Sequence, residues 1–254
     1  MNKVGIYYAY WTHNWDADFV PFVSKVKQLG FDVLEVNSGT VTNMENAERD
    51  RLKQAAADAG IELTFCIGLP APYDIASEDT QTRARGIDFL KRQAEMLAYM
   101  GGRELGGIIY SGWPGALPEG ETDRRPYRDR SVESMKDVMK TVEDCGVLFN
   151  VEVVNRFEQY MMNTAAEAVE YVKMVGSDHC KVLLDTFHMN IEEDSIYDAV
   201  VNTGPWLGHV HLGEQNRRAP GRGRIPWDEL AAALKAANYT GPVVMEPFLM
   251  PGGE

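Results

Sequence analysis

Four residues of the types that bind metal ions follow four consecutive apolar runs in the second half of the chain. They are Glu152, Asp185, His211 and Glu246, and each lies where an apolar run turns polar. A carboxylate or imidazole buried at such a point is costly unless a partner compensates it. One divalent cation could compensate all four, and three oxygens with one nitrogen favour manganese, magnesium or cobalt over a thiolate-type zinc site. The pattern therefore predicts a metal site.

The elements that must position these residues are eight strand-like runs that alternate with amphipathic helical stretches. The runs cover Val4–Trp11, Phe31–Val36, Ile61–Ile67, Leu105–Tyr110, Val147–Val154, Cys180–Leu184, Leu207–Leu212 and Pro242–Glu246. Repeated strand–helix alternation implies a parallel sheet. Eight strands at a spacing of about 30 residues favour a (β/α)8 TIM barrel, in which active sites lie at the C-terminal ends of the strands. We predict that residues 1–254 form one such domain, with an open doubly wound sheet as the alternative.

The C-terminal end of the chain departs from this pattern. The last residue, Glu254, comes eight positions after Glu246 (254 − 246), so we expect this chain to contain strand 8 but not a helix 8. We expect the outward residues of strand 8, Val243 and Met245, to need cover. The prediction is that the natural protein continues with an amphipathic helix, or that a partner subunit covers this surface.

Composition excludes several classes of function. The formal net charge is −13, which argues against a nucleic-acid partner, since such proteins need clustered Lys and Arg. The three cysteines show no CxxC spacing, and the chain begins with a strand-like run instead of a secretory leader, so we expect a cytoplasmic protein with reduced thiols. No segment approaches the roughly 20 apolar residues of a membrane span.

The segments around the four candidate ligands resemble a known family. VEVVNRFEQ, LDTFHMNIEE, GHVHLGEQNR, PGRGRIPW and VVMEPF are similar to segments of the ketose 3-epimerases, the D-tagatose 3-epimerase and D-psicose (D-allulose) 3-epimerase family, and GIYYAYW and RSVESMKDV match as well. The resemblance implies that Glu152, Asp185, His211 and Glu246 bind the metal, with Mn²⁺ preferred and Co²⁺ or Mg²⁺ as alternatives. It also implies that Glu152 and Glu246 act as acid and base, and that the protein forms a homo-dimer or homo-tetramer.

Residues of the expected substrate site fall into two groups. The resemblance implies that Glu158, His188 and Arg217 bind the carbonyl and hydroxyl end of the sugar. Aromatic and apolar residues at strand ends could form a wall for carbons 4 to 6, namely Tyr7, Trp15, Cys66, Ile108, Trp113 and Phe248. His209 has the parity of His211 and should lie one layer deeper as a structural residue, while Arg218 should face solvent. No phosphate-binding cluster follows strands 7 and 8, which favours free ketohexoses as substrates.

The chemistry expected of such a site is epimerisation at carbon 3. A proton beside a ketone is weakly acidic, and a cation that bridges the neighbouring oxygens stabilises the enediolate. Removing a proton from one face of carbon 3 and returning one to the other face requires a base on each side of that carbon. Glutamates from strands 5 and 8 can supply both bases. Three alternatives stay open: an aldose–ketose or hydroxypyruvate isomerase on the same metal site, a phosphodiesterase of the endonuclease IV type, and a sugar-binding barrel without turnover.

Overall fold

Eight parallel strands close into a barrel in the computed structural model, which describes residues 2–249. The strands are β1 (Val4–Tyr7), β2 (Val33–Asn37), β3 (Glu62–Cys66), β4 (Glu104–Gly107), β5 (Leu148–Val153), β6 (Cys180–Asp185), β7 (Leu207–Leu212) and β8 (Val243–Met245). Each strand pairs with the next in the chain, and β8 pairs with β1. The predicted (β/α)8 TIM barrel is therefore confirmed, and the open sheet is excluded.

Helices occupy the connections between the strands. They are α1 (Val20–Gln28), α2 (Ser38–Asn43), α3 (Asn46–Ala59), α4 (Thr80–Met100), α5 (Arg125–Cys145), α6 (Ala165–Val175), α7 (Thr186–Glu192), α8 (Ile196–Thr203) and α9 (Trp227–Ala236). Left-handed glycines end several of them, as at Gly60, Gly146 and Gly176, because only glycine adopts this conformation without strain. Among the helices of residues 2–249, none has the length and apolarity to cross a membrane.

Alternation along the strands separates an apolar outer layer from a polar inner one. Leu34, Phe149 and Val182 point outward and are fully buried between the strands and the helices, as expected for a parallel sheet covered on that face. Their inward neighbours include Glu35 and Asn150, which are equally buried. The hydrophobic core thus lies between the strands and the helices and stabilises the barrel from outside. The interior of the barrel can therefore carry polar groups.

Two strands are shorter than their apolar runs predicted. The run expected to reach Trp11 ends as a strand at Tyr7, and the run expected to reach Tyr110 ends at Gly107. Gly107 has a φ of +118°, and a Cβ there would lie 2.1 Å from the carbonyl oxygen of Ile67. The chain turns at this glycine, and the residues beyond it stay buried in the connection, so apolar content alone overestimated the strand.

The outer side of β8 is better covered than the sequence suggested. Val243 is only 8% exposed, and Met245 is half-buried. Val243 borders a surface groove that it shares with Leu234 of α9 and with Tyr239. The expectation that Val243 needs further cover is therefore wrong. The additional helix was predicted to follow Glu254, and so lies outside the described residues.

Candidate active site

The four predicted metal ligands converge at the C-terminal end of the barrel. Glu152 lies in β5, Asp185 ends β6, His211 lies in β7, and Glu246 follows β8. One ligand atom from each of the four lies within 4.8 Å of the other three, and all four residues are buried. The convergence follows from the barrel itself, because neighbouring parallel strands bring equivalent inward positions to one rim.

The orientation of His211 shows whether this cluster fits a cation. Its Nε2 lies 2.7 Å from Glu35 Oε1, whereas its Nδ1 has no hydrogen-bond partner among residues 2–249. That Nδ1 lies 3.7 Å from Glu152 Oε1 and 3.5 Å from Glu246 Oε2, so it points into the cluster. Three buried carboxylates and one unpartnered ring nitrogen are a donor set that a divalent cation satisfies. The cluster therefore fits the metal that the sequence predicted.

The surroundings of the three carboxylates shift their pKa values in different directions. Burial raises the pKa of Glu152 to about 7 and that of Asp185 to about 6, and the nearby charge of Glu246 adds to both shifts. Burial also acts on Glu246, but the positive charges of His211 and Arg217 outweigh it and hold the pKa of Glu246 below its ordinary value. Two glutamates of the same cluster therefore differ in the ease with which they lose a proton.

Arg217 connects three of the strands that build the site. Its Nη1 donates to Asp185 Oδ2 at 2.7 Å and to Glu246 Oε2 at 3.0 Å. Its guanidinium lies 4.0 Å from the ring centre of Phe187 and 5.1 Å from that of Phe248. A guanidinium held by carboxylates and between aromatic faces has little freedom to move, so the loop after β7 is fixed over the cluster.

His188 lies against the cluster, with hydrogen-bond donors on both sides of its ring. The backbone N–H of Asn155 donates to His188 Nδ1 at 3.1 Å, and burial lowers the pKa of the ring. His188 Nε2, on the other side of the ring, lies 3.7 Å from Asp185 Oδ2 and 2.9 Å from Arg217 Nη2, which can only donate. A neutral imidazole has one accepting nitrogen, so the ring accepts from Asn155 or from Arg217 but not from both.

A cavity of about 610 Å³ opens above the cluster. All nine residues that the sequence predicted for substrate binding line it, namely Tyr7, Trp15, Cys66, Ile108, Trp113, Glu158, His188, Arg217 and Phe248. Glu152 and Glu246 border the same cavity, whereas Asp185 and His211 do not. The two glutamates are thus the members of the cluster that a molecule in the cavity would meet.

Different residues form the polar wall and the apolar wall of the cavity. Glu158 accepts from the Nδ2 of Asn155 at 3.0 Å and from the Nε1 of Trp113 at 3.3 Å, which fixes its carboxylate at the rim. Cys66 is buried, and burial raises the pKa of its thiol well above the ordinary value. A protonated thiol is a poor nucleophile, which agrees with the expectation that Cys66 is part of the wall.

Two further sequence expectations concern residues near the site. His209 is 1% exposed inside the barrel, and its ring lies between Glu35 and Glu104 at 3.2 Å from each, one layer below the cluster as predicted. Arg218 is exposed, also as predicted.

Sequence reasoning missed other residues of the site. Asn37 and Phe187 line the cavity, and Glu35 contacts His211 from below. Glu35 carried one recognisable signal, since it is the only charged residue within β2. Asn37 and Phe187 carried none, because an amide at a strand end and an aromatic residue in a helix are common in any barrel.

Comparisons with known proteins agree with this geometry. The family described as "Xylose isomerase-like TIM barrel" matches residues 23–253. The D-psicose 3-epimerase of Agrobacterium fabrum is 45% identical over 251 residues, which cover 99% of this chain and 86% of that protein.

Two crystal structures are similar over nearly the whole chain. A D-psicose 3-epimerase in the presence of D-fructose superposes with a TM-score of 0.95 at 45% identity. The D-psicose 3-epimerase of Clostridium cellulolyticum with D-tagatose superposes with a TM-score of 0.94, also at 45% identity. Each match covers 99% of this chain and 86% of the other.

The fold and the site thus define a sugar isomerase barrel of the epimerase class. Within the xylose isomerase-like TIM barrels, this chain belongs to the ketose 3-epimerase family.

Proposed function

We propose that this protein interconverts free ketoses by epimerisation at carbon 3, with the pairs D-fructose/D-psicose and D-tagatose/D-sorbose as substrates. The observation that carries the proposal is the placement of Glu152 and Glu246. Both belong to the candidate ligand cluster, and both border the cavity. A carbon atom held between them would face a carboxyl group on either side, as exchange of a proton between two faces requires.

Four residues of the cluster would hold the divalent cation: Glu152, Asp185, His211 and Glu246. When bound, the cation supplies Lewis-acid polarisation of the ketone, which makes the neighbouring C–H bond more acidic. Manganese is the expected ion, with cobalt or magnesium as alternatives, because the donor set is three carboxylates and one imidazole.

Proton transfer is assigned to the two glutamates. In the metal-free protein the pKa of Glu152 is raised to about 7 and that of Glu246 is lowered, so the two carboxyls differ in proton affinity, as a pair of one acid and one base requires. One glutamate removes the proton from carbon 3 to give the enediolate of the sugar, and the other returns a proton to the opposite face. The two exchange roles when the other epimer is bound.

The surrounding residues orient the sugar. His188 Nε2 lies 3.7 Å from Asp185 Oδ2, and in the tautomer whose Nδ1 accepts from Asn155 it would donate to the carbonyl oxygen. Arg217 and Glu158 offer charged groups at the same end, while Trp113, Cys66 and the other apolar lining residues face the far end. A mostly apolar wall makes few directional contacts with carbons 4 to 6, which favours acceptance of several ketoses.

The test uses metal-loaded protein incubated with D-fructose, D-psicose or D-tagatose, followed by sugar chromatography. We expect each ketose to yield its carbon 3 epimer and, in deuterated water, a product with deuterium at carbon 3 only. Glu152→Gln and Glu246→Gln should each lose turnover by several orders of magnitude. Glu193→Gln, a partly buried carboxyl outside the cavity, should stay near wild type.

Other outcomes identify the alternatives. An aldose product with label at carbon 1 would favour an aldose–ketose isomerase on the same site. Metal binding without conversion of any ketose would favour a sugar-binding barrel. Near wild-type turnover in either glutamine variant would contradict the two-base scheme. The dimer or tetramer expected from the sequence stays a prediction, which light scattering can test on the same sample.

A further inference from the structure

A carboxylate that the proposed chemistry does not use lies directly beneath the ligand cluster. Glu35 points from β2 into the barrel and is completely buried. Its Oε1 lies 2.7 Å from His211 Nε2. Its Oε2 accepts from the hydroxyl of Thr64 at 2.9 Å and lies 3.2 Å from His209 Nε2. Each of these three contacts is therefore with an inward residue of the barrel, and Glu35 itself does not line the cavity.

The contact with Glu35 determines which nitrogen of His211 faces the cluster. A carboxylate can only accept a hydrogen bond, so the nitrogen next to Glu35 must carry a proton. That nitrogen is Nε2, which leaves Nδ1 as the lone-pair nitrogen when a cation binds. Nδ1 has no hydrogen-bond partner and points between Glu152 and Glu246. The hydrogen bond on one side of the ring thus selects the donor atom on the other.

We propose that Glu35 is a positioning residue that fixes the tautomer and the ring orientation of His211 for metal binding. The inference rests on the proposed metal-dependent function and concerns a residue that never touches the substrate. A carboxylate behind a ligating histidine also makes the imidazole a stronger donor, and loss of such a partner costs about 10–100-fold in metal affinity.

Glu35 is itself held rigidly, which a positioning role requires. His209 stands nearly perpendicular to His211, with an angle of 87° between the two rings. The Nδ1 of His209 lies 3.2 Å from Glu104, whose other oxygen accepts from the Nδ2 of Asn150 at 3.2 Å. This column of inward polar side chains runs down the barrel from His211, so displacement of Glu35 would break several buried contacts together.

The main experiment measures metal binding, without any assay of turnover. The metal-free Glu35→Gln variant is titrated with Mn²⁺ against a competing chelating indicator, and with Co²⁺ by visible absorption. Glutamine has the same shape, but its amide can donate to Nε2 and so stabilise the wrong tautomer. We expect the Kd for Mn²⁺ to rise 10–100-fold and the cobalt spectrum to change. An unchanged Kd and spectrum would overturn the proposal.

The matched control is Thr64→Val, which removes the other hydrogen bond of Glu35 and leaves the contact with His211 in place. If Glu35 only supported the polar core, both variants would weaken metal binding alike, and this result would also overturn the proposal. We expect the Kd of Thr64→Val to stay within about threefold of wild type.

A measurement on the wild-type protein keeps the inference testable if Glu35→Gln does not fold. Nitrogen-15 NMR of histidine-labelled protein loaded with Mg²⁺ should show the His211 proton on Nε2, protected from solvent exchange. A proton on Nδ1, or no binding of Mn²⁺ or Mg²⁺ by the wild type, would refute the proposal. Binding that depends on Glu35 without conversion of any ketose would refute the proposed function alone, whereas turnover with a Kd independent of Glu35 would refute only this inference.

Discussion

Metal binding by this protein should depend steeply on pH, because the ligand cluster holds protons that a cation must displace. The pKa is about 7 for Glu152 and about 6 for Asp185. Both values are raised, so each group is protonated below its pKa and becomes a ligand as the pH rises. At pH 6, Glu152 is then about nine-tenths protonated and Asp185 about one-half, whereas at pH 8 both are almost fully ionised.

The size of the effect follows from these fractions. The two carboxyls together should weaken binding about 20-fold between pH 8 and pH 6, or about 2 kcal/mol. His211 strengthens the dependence, because Glu246 and Glu35 raise its pKa well above the ordinary value in spite of burial. Since its Nδ1 must also lose a proton to bind a cation, the total change in affinity should exceed the contribution of the carboxyls.

Calorimetry in buffers of different ionisation enthalpy measures both the affinity for Mn²⁺ and the number of protons released. We expect more than one proton to be released at pH 6 and fewer at pH 8. Asp185→Asn should release fewer protons at pH 6. Glu158→Gln, which removes a carboxyl at the cavity rim but outside the cluster, should match wild type. An affinity that is constant between pH 6 and pH 8 would show that the cluster does not hold the metal.

Three further outcomes can be measured independently. Chelation should abolish ketose conversion, and Mn²⁺ or Co²⁺ should restore it in the chromatographic assay; full activity in excess chelator would exclude a metal role. Gly107→Ala should lower the free energy of unfolding in urea by at least about 2 kcal/mol, because its Cβ would lie 2.1 Å from a backbone oxygen of Ile67. The loss should exceed that of Gly120→Ala, where φ is also positive but no described atom lies within 4 Å of the added Cβ. Glu214→Ala should raise KM for ketoses with little change in Mn²⁺ affinity, because this buried carboxylate accepts three hydrogen bonds that hold the loop carrying Arg217; an unchanged KM would show that the loop is held in another way.

The barrel and the ligand cluster could be predicted because both depend on patterns local to each strand. An acidic residue or histidine at the end of an apolar run marks an inward position at the rim, and the order of the parallel strands then brings these positions together. The bond between Glu35 and His211 could not be predicted in this way. It joins residues 176 positions apart on opposite parts of the barrel, and the partner of an inward side chain depends on the register of every strand between them.

The residue at which β4 ends could not be predicted from the sequence either. The apolar run around Gly107 continues past the strand because its later residues are buried in a connection, and apolar content does not distinguish the two environments. The contacts of Arg217 were also hidden. The resemblance placed it at the substrate, but its bonds to Asp185 and Glu246 arise from a loop conformation with a positive φ at Arg217 itself.

The lining of the cavity divides between the two halves of the polypeptide. Lining residues 7–113 come from the last residues of β1 to β3 and from the connections after β1, β3 and β4, and they include none of the four ligands. Lining residues 152–248 come from the second half, which carries all four. Natural variation in the first half can therefore alter which molecules fit while the ligand set is inherited unchanged. For the engineer, the same division makes the rim positions of the first 115 residues the place to vary sugar selectivity: randomising them while Glu35 is retained would leave the ligand set and its support unchanged.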